Sequence, residues 1–259
     1  MAITGKLFSN IYKDLIIIDN SNAGFDANID QVKTGEGSGS ALYLSTNNVK
    51  IQPTADSTTN TAIYDKDGNV LVAVDSTNDT VKALGHHVNT NYSYFGIDHV
   101  GSAAFVVDTH YALGHHVPPQ IQEEFILGTG TNPDTSKTLT ADTEDIVTKM
   151  WYAPDALTID SASFFLSADT ATGDTVRCHL MVYDIDKRSG VSTGGDLTNG
   201  VVVADGVDIT SAGYEQTDFQ EMTIQNASVS SGQVLFFTFR QDGVNSDYSI
   251  SATIKYHLT

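Results

Sequence analysis

Cysteine is almost absent. Cys178 is the only one in 259 residues, which excludes an internal disulfide framework and a cysteine-based zinc site. Positive charge is scarce too: 13 Lys and Arg stand against 32 Asp and Glu, for a net charge of −19. Binding to nucleic acid or to anionic lipid rests on clustered Lys and Arg, so the composition speaks against both partners. Long apolar runs are missing. From Met1 to Asn20 the sustained run is Leu15-Ile16-Ile17-Ile18, held between Asp14 and Asp19. A signal h-region needs about 7–15 apolar residues and a spanning helix about 20. The expectation is a soluble protein made in a cytoplasm, with no secretory signal and no membrane insertion. Long stretches of helical period are also lacking, and the pattern allows only a short helix near Asp26 to Val32.

What remains reads as β-structure. Hydrophobic residues make up 40% of the chain, with 11 Tyr and 11 Phe to bury, so it is not a disordered segment. Runs of four to eight β-branched and aromatic residues recur between clusters of Gly, Asn and Asp, the pattern of an all-β chain. Composition separates three regions: residues 1–52, with a flexible Gly35-Glu36-Gly37-Ser38-Gly39 stretch; residues 53–119, closed by Pro118-Pro119; and residues 120–259.

The middle region repeats itself. Ala83-Leu84-Gly85-His86-His87-Val88 recurs as Ala112-Leu113-Gly114-His115-His116-Val117, which predicts a duplicated β unit. Asp67-Gly68 between Ala62-Ile63 and the run Val70 to Val74 predicts a hairpin. That run is apolar at every position, so both faces of its strand need cover. Short repeated hairpins cannot supply the cover alone and bury their faces by stacking on neighbours. Other copies of the same chain are the simplest neighbours, which makes Val70, Val72 and Val74 candidate subunit-interface residues. The cluster Tyr92-Ser93-Tyr94-Phe95 admits two readings, a sugar-stacking platform or a subunit interface. Its charge-poor surroundings favour an interface through Tyr92, Tyr94 and Phe95.

The third region predicts nine strands: Glu124 to Leu127, Ile146 to Tyr152, Ala156 to Ile159, Ser163 to Leu166, Thr175 to Tyr183, Val201 to Ala204, Phe219 to Ile224, Val234 to Arg240 and Tyr248 to His257. These suit a β-sandwich or jelly roll. In Thr175 to Tyr183 the residues Val176, Cys178, Leu180 and Val182 alternate with Arg177, His179, Met181 and Tyr183. The polar, Gly-rich stretch Asp184 to Gly200 reads as an exposed loop, where recognition usually sits.

With this order of parts, the chain resembles virion fibre or capsid-decoration proteins of tailed phages, of the marine and cyanobacterial type. The resemblance rests on Ile17-Ile18-Asp19-Asn20-Ser21-Asn22-Ala23-Gly24 with Ser40-Ala41-Leu42-Tyr43-Leu44-Ser45, on Ala62 to Asp75, and on Trp151-Tyr152-Ala153-Pro154 with Ser211-Ala212-Gly213-Tyr214-Glu215-Gln216. It implies an attachment segment at 1–52 that meets a capsid or tail protein, an intertwined trimeric shaft at 53–119, and a sandwich knob at 120–259. The implied role is a homotrimeric head fibre, capsid decoration or short tail fibre, assembled in the host cytoplasm and exposed on the outside of the virion. Its knobs would meet host-surface polysaccharide. The alternative is a monomeric carbohydrate-binding β-sandwich of a cell-surface apparatus.

Chemistry-bearing motifs are few. His86, His87, His115 and His116 form two pairs, and adjacent strand residues face opposite sides. Each pair can turn one imidazole toward a three-fold axis, where three chains would hold a structural metal ion such as zinc. The other reading is a set of turn and surface histidines copied by duplication. Beyond that ion no cofactor is expected. Asp65-Lys66-Asp67-Gly68-Asn69 does not match an EF-hand, whose glycine falls sixth, and reads as the hairpin turn. Cys178 and His179 are neighbours on one strand and face opposite ways, so they make no dyad. The one GxSxG spacing, Gly190-Val191-Ser192-Thr193-Gly194, lies within the stretch read as an exposed loop and not at a strand-to-helix elbow, no HExxH occurs, and no enzyme is indicated. Tyr183, Tyr214 and Tyr248, near polar loops, are candidates for glycan contact.

Overall fold

The structure is a computed structural model that describes residues 15–18, 24–101, 106–115, 126–129, 133, 147–169, 172–187, 196–213, 215–242 and 247–259. Every regular element among them is a β-strand, all pairings are antiparallel, and no helix occurs. The helix expected near Asp26 to Val32 is replaced by a turn and a strand. Asp26 Oδ1 accepts the Asn28 N–H at 2.7 Å, a local bond that competes with helix formation, and Asp30–Thr34 is extended.

The chain divides into two compact units, Met1–Val88 and Asn89–Thr259. The division replaces the expected boundaries at residues 52 and 119, because the strands that follow residue 89 are hydrogen-bonded into the C-terminal sheets.

The first unit holds two four-stranded sheets. One is β1 (Ile16–Ile18), β2 (Asp30–Thr34), β3 (Gly39–Leu44) and β4 (Val49–Ile51), paired in sequence order. Its register puts Ile16, Ile18, Val32, Leu42, Leu44, Val49 and Ile51 on one face and Gln31, Lys33, Tyr43 and Lys50 on the other. The second is the meander β5 (Thr61–Tyr64), β6 (Val70–Asp75), β7 (Thr80–Ala83) and β8 (His86–His87). The hairpin expected at Asp67-Gly68 joins β5 and β6. Asp65 Oδ1 accepts the N–H groups of Asp67 and Asn69, both at 2.8 Å, and Gly68 takes φ 87°. Asp75 repeats the device between β6 and β7 by accepting from Thr77 and Asn78.

The second unit is a sandwich. Its strands are β9 (Thr90–Gly101), β10 (Thr109–Ala112), β11 (Gly114–His115), β12 (Ile126–Thr129), β13 (Trp151–Tyr152), β14 (Leu157–Asp169), β15 (Thr175–Ile185), β16 (Leu197–Asp205), β17 (Ile209–Thr210), β18 (Gln216–Glu221), β19 (Thr223–Ile224), β20 (Ser228–Val229), β21 (Val234–Gln241) and β22 (Asp247–Leu258). One sheet runs β12-β10-β21-β15-β16-β19, with β13 on β21 and β17 on β15. The other runs β11-β9-β22-β14-β18, with β20 on β14. Two strands expected between Ala156 and Leu166 are the single β14, which carries a bulge between Ile159 and Ser161.

The two sheets share one core. Phe95, Ile159, Phe164, Leu166, Ile250 and Ile254 of the six-stranded sheet meet Val176, Cys178, Leu180, Leu235, Phe237 and Phe239 of the eight-stranded sheet. Phe164 packs edge-on against Phe237 at 6.1 Å, a geometry favoured by the ring quadrupoles. The inward set expected on β15 is therefore correct. Its outward set is buried as well: Met181 and Tyr183 join Leu127, Leu197, Val234 and Phe236 in a second cluster.

The hexapeptide repeat is not a structural repeat. In the first copy Leu84 (φ 50°) and Gly85 (φ 83°) make the tight turn between β7 and β8. In the second, Ala112 ends β10 in one sheet and Gly114 starts β11 in the other, with fully buried Leu113 at the crossing. The same Ala-Leu-Gly-His stretch serves as a hairpin in one place and, at Ala112 to His115, as a sheet-to-sheet crossover in the other.

Candidate functional site

Burial separates the two units sharply. Among the described residues of the first, Val32 and Ala73 are the only buried apolar side chains. The exposed ones include Ile16, Val49, Ile51, Ile63, Val70, Val74, Val81, Leu84 and Val88. On the β5–β8 sheet Ile63, Val70, Val74, Val81 and Val88 fall on one side, while Leu71, also exposed, lies on the reverse and Leu84 sits in the β7–β8 turn. The register aligns Ile63 with Val72, Val72 with Ala83, and Val74 with Val81. The reverse side carries Ala62, Ala73, Lys82 and buried Asp75, whose carboxyl the Asn78 side chain, ahead of Lys82, holds below the usual range. Val72 and Val74, expected at an interface, thus line a continuous β-branched face, with Val70 exposed at its end. His86 lies beside Ala83 on that face and His87 on the reverse, as adjacent strand residues must.

The remaining predicted residues lie in the sandwich or outside the described residues. Phe95 is buried in the core against Phe237, so it is not an interface residue. His115 is committed to packing: its Nε2 is 2.9 Å from Ser93 Oγ, and its ring lies 4.8 Å from Phe95 and 6.1 Å from Trp151. Tyr183 and Tyr248 are not glycan contacts, because both are fully buried, Tyr183 against Phe236 and Tyr248 against Phe239. Their nearness to polar loops misled, since each occupies a covered strand position. His116 and Tyr214 lie outside the described residues. Tyr92 and Tyr94 are half-exposed on the outer face of the six-stranded sheet.

That outer face is regular. Along β14 the side chains of Ser161, Ser163, Phe165 and Ser167 alternate with buried Ala162, Phe164, Leu166 and Ala168. Pairing sets Phe165 beside Phe219 of β18 and Ser251 of β22, Ser163 beside Glu221 and Thr253, and Ser167 beside Thr217 and Ser249. Thr253 and Lys255 in turn adjoin Tyr94 and Tyr92. The Phe165 and Phe219 rings are 4.9 Å apart. Neither phenylalanine was singled out from sequence, although the alternation through Ser163-Phe164-Phe165-Leu166 separates an inward ring from an outward one.

The outer face of the eight-stranded sheet carries a charged row that sequence reading missed. Arg177 NH2 donates to both carboxylate oxygens of Asp205 at 3.0 Å, and His179 Nε2 lies 2.9 Å from Asp205 Oδ1. Arg240 donates to Asp108 at 2.9 Å, and Asp208 lies within 3.6 Å of Arg177 and 3.5 Å of Arg240. Burial, then His110, Arg177 and Arg240, push the His179 imidazole down to about 3. A neutral His179 beside an ionised Asp205 carries its proton on Nε2, because the carboxylate can only accept. Cys178, on the opposite face, is fully buried and its thiol is pushed up by desolvation, the state of an inert core residue. A second His–Asp pair, His257 Nδ1 to Asp160 Oδ1 at 2.9 Å, arises where the β14 bulge re-aims Asp160.

No protein-family profile and no curated protein matches the chain. Among solved structures, a chain in the structure of infectious bursal disease virus strain Gx is 13% identical at TM-score 0.29, covering 98% of this chain and 48% of that one. A chain from the crystal structure of the viral particle of the same virus is 11% identical at TM-score 0.13, covering 72% and 43%. This chain therefore spans about half the length of the first. Likeness at these scores carries no argument about function.

Proposed function

We propose that the chain is a non-enzymatic structural protein of a virus particle, a homotrimeric head fibre, capsid decoration or short tail fibre of the tailed-phage type. The unit Met1–Val88 assembles three copies and holds them to a capsid or tail protein, and the sandwich is presented outward to host-surface polysaccharide. One observation carries the reading: the β5–β8 sheet leaves a β-branched face in water, with Ile63 59% and Val74 39% exposed, in a unit whose described residues bury only Val32 and Ala73 among apolar side chains. Fully burying one Val or Ile side chain is worth about 1.5–3 kcal/mol, so several such faces meeting would offset the ordering of the strands. Three joined sandwiches would raise avidity for weak surface contacts without any new interaction.

Light scattering on the purified full chain tests the assembly. The expected mass is about three times 27.8 kDa, and a 27.8 kDa species at micromolar concentration overturns it. Val74→Lys with Val81→Glu adds a matched cross-strand pair in one chain but forbids burial between chains, and is expected to release monomers with an intact sandwich. Mass spectrometry of purified particles from the source tests the virion role, which fails if the chain is absent from them.

A further inference from the structure

We propose that the outer face of the six-stranded sheet is a binding platform for a neutral polysaccharide, with Tyr92, Tyr94, Phe165 and Phe219 as its stacking groups. The inference rests on the adhesion part of the reading above and moves it from Tyr183 and Tyr248, which are buried, to residues that face solvent.

Three features of the face select this ligand. The first is the exposed aromatic area. Tyr92, Tyr94, Phe165 and Phe219 are each 51–55% exposed, on a sheet whose other side packs the sandwich core through Phe95, Phe164, Leu166, Ile250 and Ile254. Aromatic faces carry partial negative charge, which suits the C–H face of a sugar ring. The second is what lies between the rings. Ser161, Ser163, Ser167, Ser249, Ser251 and Thr253 form rows of short hydroxyls across β14 and β22, each able to donate and accept. Serine is depleted in protein–protein interfaces while aromatics are enriched, so this mixture fits a polyhydroxylated partner better than a protein. The third is charge. On the paired strands Lys255 stands by Tyr92 and Glu221 by Ser163, on different strands, and the whole chain carries −19. Acidic polymers would be repelled.

The layout sets the ligand's size. Tyr94 lies on β9 and Phe165 on β14, with β22 between them. Two strand spacings are about 10 Å, a span for an oligosaccharide and too wide for one sugar ring. The rigid sheet would hold the rings in place before binding, which limits the entropy lost on association.

Affinity gel electrophoresis of the full chain in dextran, laminarin, galactomannan and arabinoxylan, with heparin as the acidic comparison, tests the proposal. At least one neutral polymer is expected to retard the protein, equally at low and high salt, and heparin is not. Phe165→Thr with Phe219→Thr, and separately Tyr92→Thr with Tyr94→Thr, are expected to weaken the retardation at least tenfold. Val207→Ser, at an exposed position off this face, is expected to leave it unchanged. Trp151 fluorescence confirms that each variant is folded. No retardation by any neutral polymer overturns the proposal, as does undiminished retardation of both double variants, or a double variant that changes the oligomer mass and so marks a subunit interface. Light scattering on the same samples keeps the two readings apart: a monomer that binds sinks only the trimer, and a trimer that does not bind sinks only the platform.

Discussion

Arg177 and Arg240 stand directly opposite each other in the β15–β21 pairing, two guanidinium groups on one face of one sheet. Like charges opposite each other destabilise a sheet, so the carboxylates around them set the energy of the pair. Asp205 neutralises Arg177 through two 3.0 Å bonds and also meets His179, while Asp208 lies between the two arginines. Asp205→Ala strands a largely buried cation and a buried imidazole. Removing one partner of a buried pair costs about 3–5 kcal/mol, and the partial exposure of Asp205 reduces this to about 2–3. Asp208, more exposed, is expected to cost under about 1 kcal/mol on the same change. Urea unfolding of the two variants would check the order, which reverses if Asp208 bridges the arginines more strongly than Asp205 does.

The buried imidazole of His179 makes stability depend on acid. Its folded value of about 3 lies below the unfolded value of about 6.5. The unfolded chain therefore takes up a proton that the folded one refuses. The stabilisation is complete above about pH 6.5 and falls by up to ~1.4 kcal/mol per pH unit as pH drops toward about 3. His179→Gln keeps a donor for Asp205 and removes the titration, so its stability should fall less steeply between pH 6 and pH 4. In the native protein the His179 ring should show a neutral NMR signature at pH 5; a midpoint near 6.5 would refute the assignment.

Gly200 and Tyr183 test the second cluster. A Cβ on Gly200 would run into the Tyr183 ring, which is fully buried against Phe236. With no room for the ring to withdraw, Gly200→Ala should cost about 1–3 kcal/mol, the usual penalty of overpacking. Tyr183→Ala on the Gly200→Ala background should cost less than the sum of the two changes, since the clash is then gone. Additive effects would mean that the ring and the glycine are independent.

Much of this architecture was legible in the sequence, because period-two alternation reports which side of a strand is covered. Val176, Cys178, Leu180 and Val182 faced the core as expected, and Asp67-Gly68 turned as expected. Alternation could not reveal that the central strands β15 and β21 are buried on both faces, and so Tyr183 was misread as a surface residue. The charged row was illegible for a different reason. Asp108, Arg177, Asp205 and Arg240 are far apart in the chain, and only the order β10-β21-β15-β16 makes them neighbours. Position along the chain also misassigned Tyr92, Tyr94 and Phe95 to a shaft, when β9 belongs to the sandwich.

The hexapeptide that occurs twice offers the sharpest contrast, because one residue type meets two opposite demands. Leu84 sits in the left-handed region at φ 50° and is 71% exposed. That conformation costs a residue with a Cβ about 1–2 kcal/mol, and asparagine tolerates it better. The turn gains nothing from an apolar side chain in water. Leu84→Asn is therefore expected to stabilise the β7–β8 hairpin by about 0.5–1 kcal/mol. Leu113, its counterpart, has no positive φ and is fully buried where the chain crosses between sheets. Leu113→Asn removes core packing and buries an amide, which should cost more than about 3 kcal/mol. Hydrogen exchange would read both effects locally: slower exchange at Val88 N–H, which bonds to Val81, and faster exchange across β10 and β21. If the two substitutions shifted stability in the same direction, the two copies would share one conformation, and the crossover at Leu113 would be wrong.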